Sequence, residues 1–227
     1  MSLQHSLHEV FLRSPPNLFD AFVVECQRWY DQPAHTLTEL RTRENKKIRG
    51  DIFEEFCVLY LQHIKGFTNV WRLEDVPEGI LVQLKMVRSD RSAGSQSLST
   101  ATGCADMGID LVAQRGETFS AIQCKYKKPN PGKRTILSWT ALSTFFALCM
   151  RTGPWDQYIV MTNCDSVRKQ GEKTDKDLSI CLKSFQGITK EEWIRMCART
   201  EGPSLTPEQK RNPTAEELRQ LRLAFYK

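Results

Sequence analysis

Apolar residues recur at helical spacing in the first third of the chain. Phe19, Phe22, Val23 and Cys26 share one face, and Asn17 stands where a helix N-cap belongs, so a helix is expected over 17–31, ended by Pro33. A second helical pattern runs over 36–64, with a potential break at Gly50 and a stop at Gly66. Ile48, Phe53, Cys57, Leu61 and Ile64 form its stripe. Over 77–87 the pattern is ambiguous: LVQLKM suits a buried strand, whereas Pro77 followed by Glu78 suits a helix start. Residues 88–106 are rich in Ser, Thr, Gly and Ala, and a loop of that length in a compact domain is either functional or disordered.

The period then changes to that of strands. GIDLVA (108–113) and FSAIQCKY (119–126) flank Arg115-Gly116-Glu117-Thr118, in which Gly116 can take the positive φ of a tight two-residue hairpin turn. An apolar helix is expected over 137–150, a short buried strand over 157–162 (QYIVMT), and a further strand candidate over 178–182. Thr189 with Glu192 has the spacing of a capping box for a helix to about Ala198. Thr214 with Glu217 opens a last helix. This order predicts an α/β protein with one sheet covered on both faces. The expected division is a helical region at 1–44, a core at 45–200 and a helical extension at 201–227. Neither an internal repeat nor a coiled coil is visible.

Composition adds limits. A chain of 227 residues, 40% hydrophobic and 26% charged, can bury a sizeable core. No apolar run approaches the ~18 residues that span a bilayer. The first 16 residues lack a basic segment followed by an apolar one, so the expectation is an intracellular protein. The 8 cysteines sit mostly in apolar runs, with no CxxC pair and no histidine cluster beside them. Buried free thiols in a reducing compartment are therefore expected, rather than disulfides or a zinc site.

The net charge of +5 matters less than its placement. One basic run is Arg41, Arg43, Lys46, Lys47 and Arg49; another is Lys125, Lys127, Lys128, Lys133 and Arg134. Charge runs are commonly solvated faces. These two flank the residues with the most chemistry, where a polyanionic substrate would need neutralising.

That chemistry lies on the hairpin. If 116 and 117 are the turn, Arg115 faces Thr118 and Asp110 falls opposite Gln123. Cβ atoms of such a pair are roughly 4.5–5.5 Å apart. Lys125 is two residues past Gln123 and so shares its face. Oxygens of Asp110, Gln123 and the Cys124 main chain could hold Mg²⁺, a hard cation that takes oxygen ligands. Lys125 could orient or deprotonate a water, or stabilise developing charge. An Asp opposite a Gln and a Lys is also common on solvated strands. Here the surrounding residues (Ile109, Leu111, Val112, Ala113, Ile122) read as central strands, where an Asp and a Lys should be paired or functional.

GIDLVA, a turn and AIQCKY resemble motifs II and III of the PD-(D/E)XK nuclease superfamily, in its variant with Gln at the middle position. The similarity is greatest to Mrr-like domains that precede helicases in type ISP restriction enzymes, and it covers roughly residues 45–165. In that family a helix upstream carries Gly-x-x-Phe-Glu; this chain has Gly50-Asp51-Ile52-Phe53-Glu54. The helix at 137–150 and the strand YIVMT follow the family's order. The resemblance implies a three-layer restriction-endonuclease-like fold with a central mixed sheet flanked by helices, and a Mg²⁺-dependent (or Mn²⁺-dependent) nuclease, with DNA favoured over RNA. By the same resemblance Glu54 is the helix-borne acid (Glu55 if the register shifts by one), Asp110 the metal ligand and Lys125 the catalytic lysine. Gln123 replaces the usual carboxylate and should weaken metal binding. Lys46, Lys47, Arg49, Lys127, Lys128, Lys133 and Arg134 are the expected phosphate contacts.

A helicase or translocase partner and a homodimer are compatible with this picture, and the alternative is a catalytically weak nucleic-acid-binding or recruiting module. Asp106 and Gln114 are secondary candidates, for which capping or strand-edge roles compete. Trp139, Phe145 and Phe146 could stack on bases, although their spacing with Leu142 and Leu148 favours core packing. His5, His8, His35 and His63 do not cluster in the sequence.

Overall fold

The computed structural model describes residues 3–31, 36–38, 46–86, 108–129, 132–168 and 174–198; side chains of 28–31 and 46–49 lie outside the description. The helices α1 (Leu3–Leu12), α2 (Leu18–Asp31) and α3 (Lys46–His63) come first. Asn17 caps α2 as its sequence position implies, its Oδ1 accepting the Asp20 N–H at 3.1 Å. Gly50 lies inside α3, which is unbroken; a mid-helix glycine costs stability but does not by itself end a helix. Past α3, Gly66 takes φ +69° and the Phe67 N–H reaches back to the Leu61 carbonyl.

Strand β1 (Asn69–Arg72) and a 3₁₀ turn (Leu73–Asp75) follow, and neither stands out in the sequence. The ambiguous segment after Pro77 is a helix, α4 (Glu78–Gln83). The hairpin is β2 (Leu111–Arg115) and β3 (Thr118–Lys125), turning through Gly116 at φ +59° with Arg115 paired to Thr118 as expected. The single helix expected over 137–150 is instead three pieces: a short strand β4 (Ile136–Leu137), a 3₁₀ turn (Trp139–Leu142) and α5 (Ser143–Cys149). Its apolar periodicity reflects one buried side, which successive short elements satisfy as well as one helix does. Strand β5 (Gln157–Thr162) matches expectation. Strand β6 (Ser166–Val167) pairs with β4, and β7 (Asp177–Ile180) ends two residues before the strand candidate does. Helices α6 (Leu182–Gln186) and α7 (Lys190–Cys197) complete the described chain, and α7 carries the full Thr189/Glu192 capping box. The expected extension at 201–227, including its last helix, lies outside the described residues.

The main sheet runs β1-β2-β3-β5-β7, antiparallel from β1 to β3 and parallel from β3 to β7. Alternate side chains enter two cores. Leu111, Ala113, Ile122, Cys124, Ile159 and Met161 pack under α1, α2, α3 and α7. On the other face Val112, Phe119, Ala121 and Val160 pack against Leu84, Leu142, Phe145 and Trp155. This is a mixed α/β fold in three layers, a central mixed sheet flanked by helices. The helices of 1–44 that are described share the first core with α3 and α7: the Trp193 indole donates to the Leu7 carbonyl at 3.0 Å. Among the described residues no helix is long and apolar enough to cross a membrane.

Candidate active site

Three elements bring the expected residues to one end of the hairpin. The regular β2–β3 ladder stops at Leu111 and Ile122. Had it continued, Asp110 would pair with Gln123; instead the Asp110 N–H turns in one residue early, onto the Ile122 carbonyl at 2.9 Å. On its other side the Asp110 carbonyl accepts the Leu73 N–H at 3.0 Å. Its carboxylate Oδ2 accepts the Cys124 N–H at 2.6 Å. The expected face-to-face pairing with Gln123 is thus replaced by a carboxylate tied to the main chain between Gln123 and Lys125. A charge-assisted bond of this kind fixes the orientation of the carboxylate.

Gln123 is 3% exposed, and its Oε1 is buried with no hydrogen-bond partner. An acceptor left bare in a protein interior costs about 1–3 kcal/mol, so this oxygen calls for an explanation. Lys125, on the same face of β3, is half-buried. Its carbonyl accepts the buried Thr162 hydroxyl at 2.7 Å, and Asn163 then clamps Lys127, accepting from its N–H (2.7 Å) and donating to its carbonyl (2.6 Å). Thr162 and Asn163 hold the end of β3 in place.

Glu54 reaches the same end from α3, with its side chain 20% exposed, while Glu55 is exposed and lines a groove with Val58, Trp71 and Asp75. Burial, reinforced by the Asp110 charge, pushes the Glu54 carboxyl up to about 7; Arg72 and Lys125 oppose the shift. Arg72 stands 3.7 Å from Glu54, 3.8 Å from Asp51 and 3.6 Å from Glu74. Beneath them the Cys57 thiol of α3 meets the Cys124 thiol of β3, both buried and both pushed up by desolvation.

Glu54 thus lies within electrostatic reach of both Asp110 and Lys125, and Gln123 directly precedes Cys124, whose N–H holds the Asp110 carboxylate. Lys127, Lys128, Lys133 and Arg134 are exposed on the segment after β3, and the Lys127 ammonium donates to the Ile136 carbonyl at 3.0 Å. Lys46, Lys47 and Arg49 begin α3, and their side chains lie outside the described residues, as do Arg41, Arg43 and Asp106. Gln114 sits at the turn end of β2, bonded to Asn69 and the Gly116 carbonyl, away from Asp110. Arg72, Thr162 and Asn163 were not anticipated as site residues. Arg72 owes its place to a four-residue strand with weak periodicity, and only the run YIVMT hinted at Thr162. Among the described residues no three His, Cys, Asp or Glu side chains form a metal-holding group on their own.

Residues 84–192, just under half of the chain, match a family model described as restriction endonuclease (Mrr_cat_2). That segment of the chain is similar to this family. That match supports the PD-(D/E)XK superfamily broadly, and the three-layer fold agrees with it. The matched segment includes Asp110, Gln123, Lys125 and Thr162; Glu54 and Arg72 come from outside it, on elements that precede it in the chain. No curated protein and no solved structure matches the chain.

Proposed function

We propose that the protein is a metal-dependent phosphodiester hydrolase acting on DNA, with Glu54, Asp110, Gln123 and Lys125 as its working groups. The observation that carries this reading is the approach of the Glu54 carboxyl, raised to about 7, to Asp110 and Lys125, with a buried unpartnered amide oxygen at Gln123 on the strand that bears Lys125; all of these but Glu54 lie in the segment that matches the restriction-endonuclease model. The donor set fits Mg²⁺ or Mn²⁺. Its oxygens are hard, and the bare Gln123 Oε1 acquires a role as a ligand beside Asp110, Glu54 and the Cys124 main chain. When bound, the cation supplies Lewis acidity toward the phosphate being cleaved. Asp110, held by the Cys124 N–H, keeps its carboxylate aimed along the strand end. The Lys125 ammonium orients the attacking water and stabilises charge that builds on the phosphate oxygens. Glu54 titrates close enough to neutrality to take up or release a proton at its carboxyl group. Water adds at phosphorus, the P–O ester bond breaks, and one strand end keeps the phosphate.

Labelled single-stranded and duplex DNA and RNA, incubated with Mg²⁺, Mn²⁺ or EDTA, test this. Cleavage of DNA with either metal and none in EDTA is expected. Lys125→Ala should lower turnover far more than affinity. If affinity falls and turnover persists, Lys125 binds without taking part in the chemistry. A second reading is a recruiting module of a helicase or restriction system with a weak or lost site. It is favoured by the amide at position 123, and among the described residues no three His, Cys, Asp or Glu side chains form a metal-holding group. DNA binding without cleavage under every metal condition would establish it.

A further inference from the structure

The three aromatic residues after β4 have separate fates. Phe145 is fully buried in the second core. Trp139 and Phe146 are half-buried, and their rings stack at 4.3 Å between centroids with an interplanar angle of 17°. Phe146 is in turn braced edge-on by Phe145 at 5.0 Å. Around Trp139 the chain is open: Ser138, Thr140, Ala141 and Ser143 are all exposed. A Trp held rigidly by a stacked Phe, on an otherwise polar and exposed segment, loses little side-chain entropy when something stacks on it.

The charge of this region is one-sided. Residues 118–155 contain no Asp or Glu, although the chain has 27 acidic residues, and they contain Lys125, Lys127, Lys128, Lys133, Arg134 and Arg151. Asp165 approaches the segment, but its carboxylate is engaged by the Thr135 N–H at 2.6 Å. The segment leads directly from the candidate site, and the backbone of α5, which carries Phe145 and Phe146, packs against the chain just before Asp110. Gly108, two residues before Asp110, packs so closely on α5 that a Cβ there would lie 2.9 Å from the Phe145 nitrogen.

We propose that Trp139, backed by Phe146, is a stacking platform for an unpaired base of single-stranded DNA whose phosphates follow the acid-free basic segment leading from Lys125. The choice of DNA rests on the nuclease reading above. The choice of a single strand rests on the aromatic pair, because a base inside a duplex is already stacked and offers no free face, whereas an unpaired base gains about 1–3 kcal/mol on an aromatic ring.

The test is binding in EDTA, where cleavage plays no part, by fluorescence anisotropy over a series of salt concentrations. Probes are single-stranded DNA of about 12 nucleotides, the matching duplex and the same sequence as RNA. The wild-type protein should bind single-stranded DNA more tightly than the duplex. Trp139→Ala should weaken the single-strand complex about tenfold without changing its salt slope and should leave the duplex complex unchanged. Trp139→Phe, which keeps an aromatic face, should retain most of the affinity, and thermal unfolding of both variants checks that they fold. Unchanged single-strand affinity in a folded Trp139→Ala protein overturns the proposal and leaves Trp139 as a cover on the second core. Equal loss on single strand and duplex, tighter binding of RNA than of DNA, or no single-strand binding at all also overturns it. The expected binding pattern without any metal-dependent cleavage would instead remove the nuclease reading and keep the platform.

Discussion

The Asp110 carboxylate accepts the Cys124 N–H, so its removal has two consequences that different substitutions separate. Asp110→Ala deletes the negative charge and also strips a buried N–H of its acceptor, at about 1–3 kcal/mol. Asp110→Asn deletes the charge while an amide oxygen can still accept. Both should abolish cleavage, and thermal unfolding should show the Ala variant less stable than the Asn variant; an Asn variant that cleaves at the wild-type rate would remove Asp110 from the chemistry. Glu54 gives a pH signature. Its carboxyl group titrates near 4.5 when unfolded and about 7 when folded, so the metal-free folded state binds the extra proton. Stability from this group is full below about 4.5, declines as pH rises to about 7, and is level beyond. Glu54→Gln should flatten that decline in denaturant titrations run in EDTA. A cation that binds the ionised carboxylate should gain affinity as pH rises through the same range. Gln123 and Lys125 could be placed on one face of β3 because register follows from the turn, whereas Asp110 departs from that register. Arg72 was not legible, because its ion pairs join α3 to an edge strand across some twenty residues, and spacing carries no trace of such contacts.

At the scale of elements, legibility followed local specification. The β2–β3 hairpin and the α7 cap are set by residues within a few positions of each other, and both formed as their sequences imply. The departure at Asp110 could not be read from alternation, since it depends on Leu73 arriving from the preceding strand connection to take the Asp110 carbonyl. The segment 137–150 shows the converse, a periodic pattern realised by three short elements because its buried positions all face the second core. Gly108 makes a prediction here. Its φ of +86° and the 2.9 Å approach of any Cβ to the Phe145 nitrogen leave no room for a side chain. Gly108→Ala should cost roughly 1–3 kcal/mol in chemical denaturation, and should lower cleavage further by displacing Asp110. Full activity and stability in that variant would show that α5 does not position the strand end.

For the molecule as a whole, charge and chain order matter more than single contacts. Replacing Lys127, Lys128, Lys133 and Arg134 with neutral residues should weaken DNA binding for every sequence alike. The log–log dependence on salt should flatten by about one unit per lost phosphate contact. An unchanged slope would mean that these cations are simply solvated, and Lys127, which also braces the Ile136 carbonyl, is the one whose loss should loosen the loop as well. The sequence indicated two covered sheet faces correctly, but not that α1 and α7 would close against each other. That closure, the Trp193 indole on the Leu7 carbonyl across 186 positions, has a consequence during synthesis. At about 5–20 residues per second, a ribosome delivers Trp193 roughly ten to forty seconds after Leu7. Throughout that interval α1 has been made but lacks its partner, and Leu3, Leu7 and Val10, all buried in the finished fold, have only part of their cover. The nascent chain therefore carries α1 with its apolar face partly uncovered until α7 emerges, which makes that face a natural substrate for ribosome-associated chaperones.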